Sequence, residues 1–150
     1  MHAGGTLTTM PAQESSTIST SFESPVLGYQ HVNLLVTDLD DARHFYGTGL
    51  GLEELPRPAV GGPGIWYGVG ALQLHLSLVA EMPAGIREAF AHVALTLRSD
   101  TFAECVASME ARGVVMSRQP MSREQDGATV QTAFCRDPFG NLFELTDVNG

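Results

Sequence analysis

Three histidines and one glutamate stand where they could share one task. His31 lies inside the apolar run "GYQHVNLLVTD" (28–38), and His92 inside "FAHVALTLRSD" (90–100). Both runs carry His-Val-x-Leu. Later in each half, Leu74-His75-Leu76 matches Phe143-Glu144-Leu145. A single histidine in an apolar strand usually satisfies a backbone carbonyl, and Glu144 alone could pair with Arg98 or Arg136. The two polar pairs fall at corresponding places in two similar halves, and that coincidence points to a shared site. Three imidazoles and a carboxylate on one apolar concavity are costly unless paired. A divalent metal satisfies all four, and this donor set suits Zn, Ni, Fe, Co or Mn.

The elements that must position these residues follow from local pattern. In the first half, a strand over 28–37 passes at Asp38 into a helix with Ala42, Phe45 and Tyr46 inward. Short strands are predicted near 52–55, 65–69 and 72–79, with the Pro/Gly-rich 56–64 as a loop. In the second half, a strand over 90–98 leads to a helix starting near Asp100 or Thr101. There "TFAE" fits a capping box, and Gly113 stops the helix. Strands follow near 114–118, 128–136 and 141–147. Each half is therefore strand, helix and three strands.

Alternation then assigns faces. Val32, Leu34 and Val36 line one side of the first strand, with Tyr29, His31, Asn33 and Leu35 on the other. Val93, Leu95 and Leu97 stand likewise opposite His92, Ala94 and Thr96. If the halves form one curved sheet, the histidine faces meet inside the curve. Gln73 shares a strand face with His75 and is an alternative contact. His44 falls on a helix surface and His2 in the tail.

Composition bounds the function. The chain has 150 residues, 43% hydrophobic, enough for one sizeable core. All eight basic residues are arginine, against seventeen acidic ones, for a formal charge of −9. Without lysine, Schiff-base chemistry and a Walker-type loop are excluded. The acidity argues against nucleic acid or an anionic membrane surface as main partner and slightly favours neutral or cationic ligands; a small-molecule substrate is the expected partner. Cys105 and Cys135 have no CxxC setting and read as reduced thiols of a cytoplasmic protein. The Ser/Thr-rich residues 1–26 read as a flexible tail, or as an arm anchored by Ile18 and Phe22. The rest, 27–150, reads as a single domain.

The β-α-β-β-β repeat, the opening "HVNLLVTDL" and the closing "RDPFGNLFEL" resemble the vicinal oxygen chelate superfamily. That group includes glyoxalase I, extradiol dioxygenases, and fosfomycin and bleomycin resistance proteins. The resemblance spans about 27–147 and implies an α+β fold of two βαβββ modules, 27–80 and 88–148, curved around a concave metal site. Carried over by position, the metal ligands are His31, His75, His92 and Glu144. It also implies a homodimer that completes its sites by pairing modules across a two-fold axis. Three activities are expected in order: isomerase or lyase chemistry on a substrate with vicinal oxygens, with Glu144 as catalytic base; an Fe(II) extradiol-type dioxygenase using His31, His92 and Glu144; and a metal-free, bleomycin-resistance-like binding protein. Glyoxalase I enzymes usually have a carboxylate where His75 stands. Tyr29, Tyr46 and Tyr67 are the candidates for second acid/base groups; Trp66, Tyr67 and Phe139 are candidates for pocket or interface walls, with ordinary core packing as the alternative.

Overall fold

Strand alternation and two helix starts account for most of the architecture. The computed structural model describes residue 25, residues 28–59 and residues 61–148; Ile18 and Phe22 lie outside them. The first half runs β1 (His31–Val36), α1 (Leu39–Ala42), β2 (Glu53–Leu55), β3 (Gly64–Val69) and β4 (Leu72–Leu78). The second runs β5 (His92–Thr96), α2 (Phe102–Ala111), β6 (Met116–Gln125), β7 (Ala128–Arg136) and β8 (Leu142–Thr146). The strands form two four-stranded sheets, ordered β1-β4-β3-β2 and β5-β8-β7-β6. In each sheet the first and last strands pair parallel and the other pairs are antiparallel. This is the two-module α+β fold that the sequence implied. The hydrogen-bonded ladders end at β1 and β5, so one chain holds two sheets rather than one continuous one.

The helix starts differ from each other. Asp38 caps α1 as expected, accepting from the backbone N–H of Asp40 (2.8 Å) and Asp41 (2.9 Å). After one turn α1 widens into a π-helix over Arg43–Gly49, and Leu50 N–H bonds to Phe45 O at 2.8 Å. Ala42, Phe45 and Tyr46 are buried, in line with the sequence. The capping box at Thr101 does not form. A 3-10 turn (Ser99–Thr101) feeds α2, and the Thr101 side chain makes no cap bond. The expected stop is present at Gly113, whose φ of +95° few other residues adopt. β6 is longer than the predicted 114–118 and runs through Pro120. It is an edge strand with register shifts, where a missing N–H costs little.

Both sheets contribute one face to a shared core. Val36, Ile65, Tyr67, Leu74 and Leu76 come from the first sheet, and Ala133, Cys135, Phe143 and Leu145 from the second. Phe45 and Tyr46 lie against Phe143, with ring centroids 6.3 and 5.8 Å away. A buried carboxylate reinforces this contact. Asp137 accepts from the Tyr46 hydroxyl (2.6 Å), the Asn141 side-chain amide (2.7 Å), and the backbone N–H of Phe139 (3.0 Å) and Asn141 (2.8 Å). Asn141 Nδ2 also donates to Leu35 O on β1 at 2.9 Å. The "DPFGN" turn thus joins the halves. Among the described residues no helix is long and apolar enough to cross a membrane.

Four outcomes are expected. Tyr46→Phe removes one bond to Asp137 and should cost about 1–2 kcal/mol, whereas Asp137→Ala orphans several buried donors and should cost at least ~3 kcal/mol; urea unfolding measures both. Burial and nearby Asp137 push the Cys135 thiol up to about 12, and burial pushes Tyr67 to about 12. The unfolded chain therefore releases these protons first, from about pH 9 upward for the thiol. Stability should be intact below that pH and fall as pH rises toward 12. Thermal unfolding midpoints across pH 8–11 measure the decline. A thiol reagent at pH 8 should leave Cys135 unmodified until the chain unfolds.

Candidate metal centre

Strand register places the two polar pairs identically. In the β1–β4 ladder His31 lies opposite Gln73 and Asn33 opposite His75. In the β5–β8 ladder His92 lies opposite Leu142 and Ala94 opposite Glu144. His31 and His75 are therefore diagonal neighbours, and His92 and Glu144 hold the same diagonal. Both pairs occupy the sheet face away from the core, because Leu74, Leu76, Phe143 and Leu145 point into it.

On the first sheet the site is a stack of rings. The His31 and His75 rings lie 4.0 Å apart at 16°, and the other face of His75 covers Trp66 at 4.1 Å and 5°. Gln30 Oε1 contacts His31 Nδ1, and Gln73 Oε1 contacts His75 Nε2 at 2.8 Å. Gln73 is thus a partner of His75 in the same site. Burial lowers the His75 pKa, and the charges of His31 and Arg57 lower it further. That favours the neutral imidazole, the form that binds metals.

On the second sheet His92 and Glu144 touch directly. His92 Nδ1 lies 2.8 Å from Phe90 O, and its Nε2 lies 3.2 Å from Glu144 Oε2. With the ring proton on Nδ1, a lone pair faces a carboxylate oxygen. Only a proton or another cation between them makes that contact favourable. The other carboxylate oxygen, Oε1, accepts from Thr132 Oγ1 (2.9 Å) and Arg123 Nη2 (3.4 Å). Glu144 is thereby held with Oε2 turned to His92. A carbonyl-held imidazole beside an oriented carboxylate is a donor pair that fits a divalent ion.

The chain does not bring all four residues together. Among the described residues no group of three or more His, Cys, Asp or Glu side chains could hold one ion. Each sheet presents one of the two pairs. An apolar groove of roughly 440 Å³ lies beside them, lined by Val32 and Leu74 of the first sheet and by His92, Val93 and Leu95 of the second, with exposed Tyr29 and Leu72 at its rim.

Other expectations resolve as follows. Arg98 pairs with Asp100, and Arg136 donates to the carbonyls of Ile86, Ala89 and Gly140, so the arginine on Glu144 is Arg123 instead. Sequence reasoning missed Arg123 because the strand expected near 114–118 ended before it, whereas β6 runs to Gln125. Thr132 could have been found from the alternation of β7. Tyr67 and Phe139 are buried in the core, Phe139 also lining a pocket with Met82, Ile86 and Arg87, and Tyr46 is committed to Asp137; Trp66 stacks on His75, and Tyr29 stands at the rim of the groove beside His92. His44 is exposed, as read.

Comparison with known proteins agrees with this architecture. Residues 28–145 match the model of the Glyoxalase/Bleomycin resistance protein/Dioxygenase superfamily. A glyoxalase family protein from Bacillus anthracis superposes with a TM-score of 0.65 at 24% identity, over 83% of this chain and 97% of that one. A glyoxalase/bleomycin resistance protein/dioxygenase from Alicyclobacillus acidocaldarius gives 0.64 at 24%, covering 80% and 90%. The fosfomycin resistance protein FosX from Listeria monocytogenes, in complex with Mn(II) and 1S,2S-dihydroxypropylphosphonic acid, gives 0.63 at 21%, covering 81% and 90%. At these identities the structural likeness is one of fold. With its family match, its repeated βαβββ modules and its repeat-related polar pairs, the chain belongs to the glyoxalase/bleomycin resistance protein/dioxygenase superfamily.

Proposed function

We propose that this protein is a metal-dependent isomerase or lyase acting on a small substrate with vicinal oxygens, assembled as a homodimer. The observation that carries this reading is the matching diagonal of His31/His75 and His92/Glu144 on two separate sheets. Each pair supplies two donors and leaves a coordination sphere half filled. In a two-fold dimer, His31 and His75 of one protomer meet His92 and Glu144 of its partner, giving three imidazoles and one carboxylate. The groove with exposed Tyr29 and Leu72 beside the unpaired edges of β1 and β5 suits contact with a second copy. The Listeria FosX structure, which carries Mn(II) and a vicinal diol, is consistent with this substrate class.

A divalent ion bound there would supply an electrophile for the charge that develops on two adjacent oxygens. The chain's own groups would do the rest. His92 keeps its ring orientation through the Phe90 carbonyl. His75, fixed between Trp66 and His31, stays neutral. Thr132 and Arg123 hold Glu144 Oε1, which leaves Oε2 to take a proton from the carbon next to a substrate oxygen and return it to the neighbouring carbon.

Elemental analysis of the purified protein should give about one Zn, Ni, Co, Mn or Fe per chain, lost in both His31→Ala and Glu144→Ala with the fold retained. Mixing those two variants after dissociation should restore about a quarter of the wild-type sites, since each mixed dimer carries one intact ligand set. Full metal in either variant sinks the ligand assignment. No recovery on mixing sinks the shared site. Divalent metal should also change the emission of Trp66, the single tryptophan, through its stacked partner His75.

A further inference from the structure

We infer that the substrate carries a flat apolar group and an anionic group, received by a subsite that Phe90, Phe134 and Arg118 form beside His92. This rests on the reading of His92 as a metal ligand and Glu144 as the base, and names what the substrate extends to beside them. The subsite is a shallow pocket of roughly 200 Å³ lined by Phe90, Ser117, Arg118, Phe134, Arg136 and Leu142.

Its apolar part abuts His92. Phe90 is 68% exposed, a large cost for an aromatic ring with nothing to cover it. Its ring sits 5.2 Å from His92 and 6.2 Å from Phe134, and Phe134 sits 6.0 Å from His92. The exposed Phe90 ring and the half-buried Phe134 ring, tilted 37° to each other beside His92, offer a slot for a planar apolar group. Ser117 Oγ donates to Phe134 O at 3.1 Å and holds the floor of the slot.

Its charged part has one uncommitted cation. Arg118 lies opposite Phe134 in the β6–β7 ladder, and its guanidinium carbon stands 5.5 Å from the centre of that ring. Among the described residues Arg118 forms no ion pair. The neighbouring arginines are occupied: Arg136 by three backbone carbonyls, Arg123 by Glu144. In a chain of formal charge −9, an arginine left with its N–H groups unspent above an aromatic ring is placed to take a carboxylate or similar anion from outside. Glu144 already has Arg123 and Thr132, so the ligand's anion would not compete for them.

The test uses the full-length chain and 3-phenylpropionate, with neutral 3-phenyl-1-propanol as its counterpart, in two-dimensional NMR titrations. The acid should perturb the amides of Phe90, Arg118 and Phe134 and bind at least about five-fold more tightly than the alcohol. Arg118→Gln should abolish that preference without changing the alcohol's affinity, and Phe134→Leu should weaken both ligands. Metal content should be unchanged in Arg118→Gln. Equal binding of acid and alcohol, perturbations confined to other surfaces, or a preference that survives in Arg118→Gln would each overturn the subsite. Failure of Glu144→Ala to lower metal content would instead overturn the metal reading, and it is measured separately from this titration.

Discussion

The Asp137 carboxylate is the interaction on which the rest of this structure depends. Buried and ionisable, it is tolerable only because every direction around it is filled by a donor. Those donors come from both halves of the chain. Tyr46 belongs to the π-helix of the first, Phe139 and Asn141 to the turn that begins the last strand of the second. Asn141 then reaches the edge of β1 through Leu35. One turn therefore sets where β8 starts, where β1 lies beside the second sheet, and how Phe143 meets Phe45 and Tyr46.

The chemistry follows from what this joint leaves outside. With one face of each sheet committed to a shared core, the polar pairs must stand on the other. Each is stabilised locally: His75 by two stacked rings and Gln73, Glu144 by Thr132, Arg123 and His92. The two halves nevertheless differ. The first offers neutral rings in a stack, and the second a carboxylate amid arginines and phenylalanines. Such asymmetry between repeats fits the proposed function, in which one side would fill a coordination sphere and the other would move a proton and grip the substrate.

Much of this architecture is legible in the amino-acid sequence. Strand alternation assigns the faces of β1 and β5, because a period of two leaves no choice once the core side is apolar. Asp38 and Gly113 mark helix ends through local hydrogen bonding and backbone sterics. Thr101 misleads because a capping box is one local option among several, and here a 3-10 turn satisfies the chain instead. Pro120 hides the second half of β6, since its tolerance depends on β6 being an edge strand, which is a property of the sheet.

The sequence by itself determined the two-module βαβββ architecture, the matching places of His31, His75, His92 and Glu144, and the face on which each stands. These depend on short-range periodicity and on repetition. Only the tertiary structure decided that the two pairs lie on separate sheets of one chain, that Arg123 rather than Arg98 or Arg136 holds Glu144, that Trp66 backs His75, and that Phe90, Phe134 and Arg118 share a pocket. Those outcomes rest on strand register and on how the two sheets pack about a common core. Contacts between residues far apart in the chain set both, and no local pattern records them.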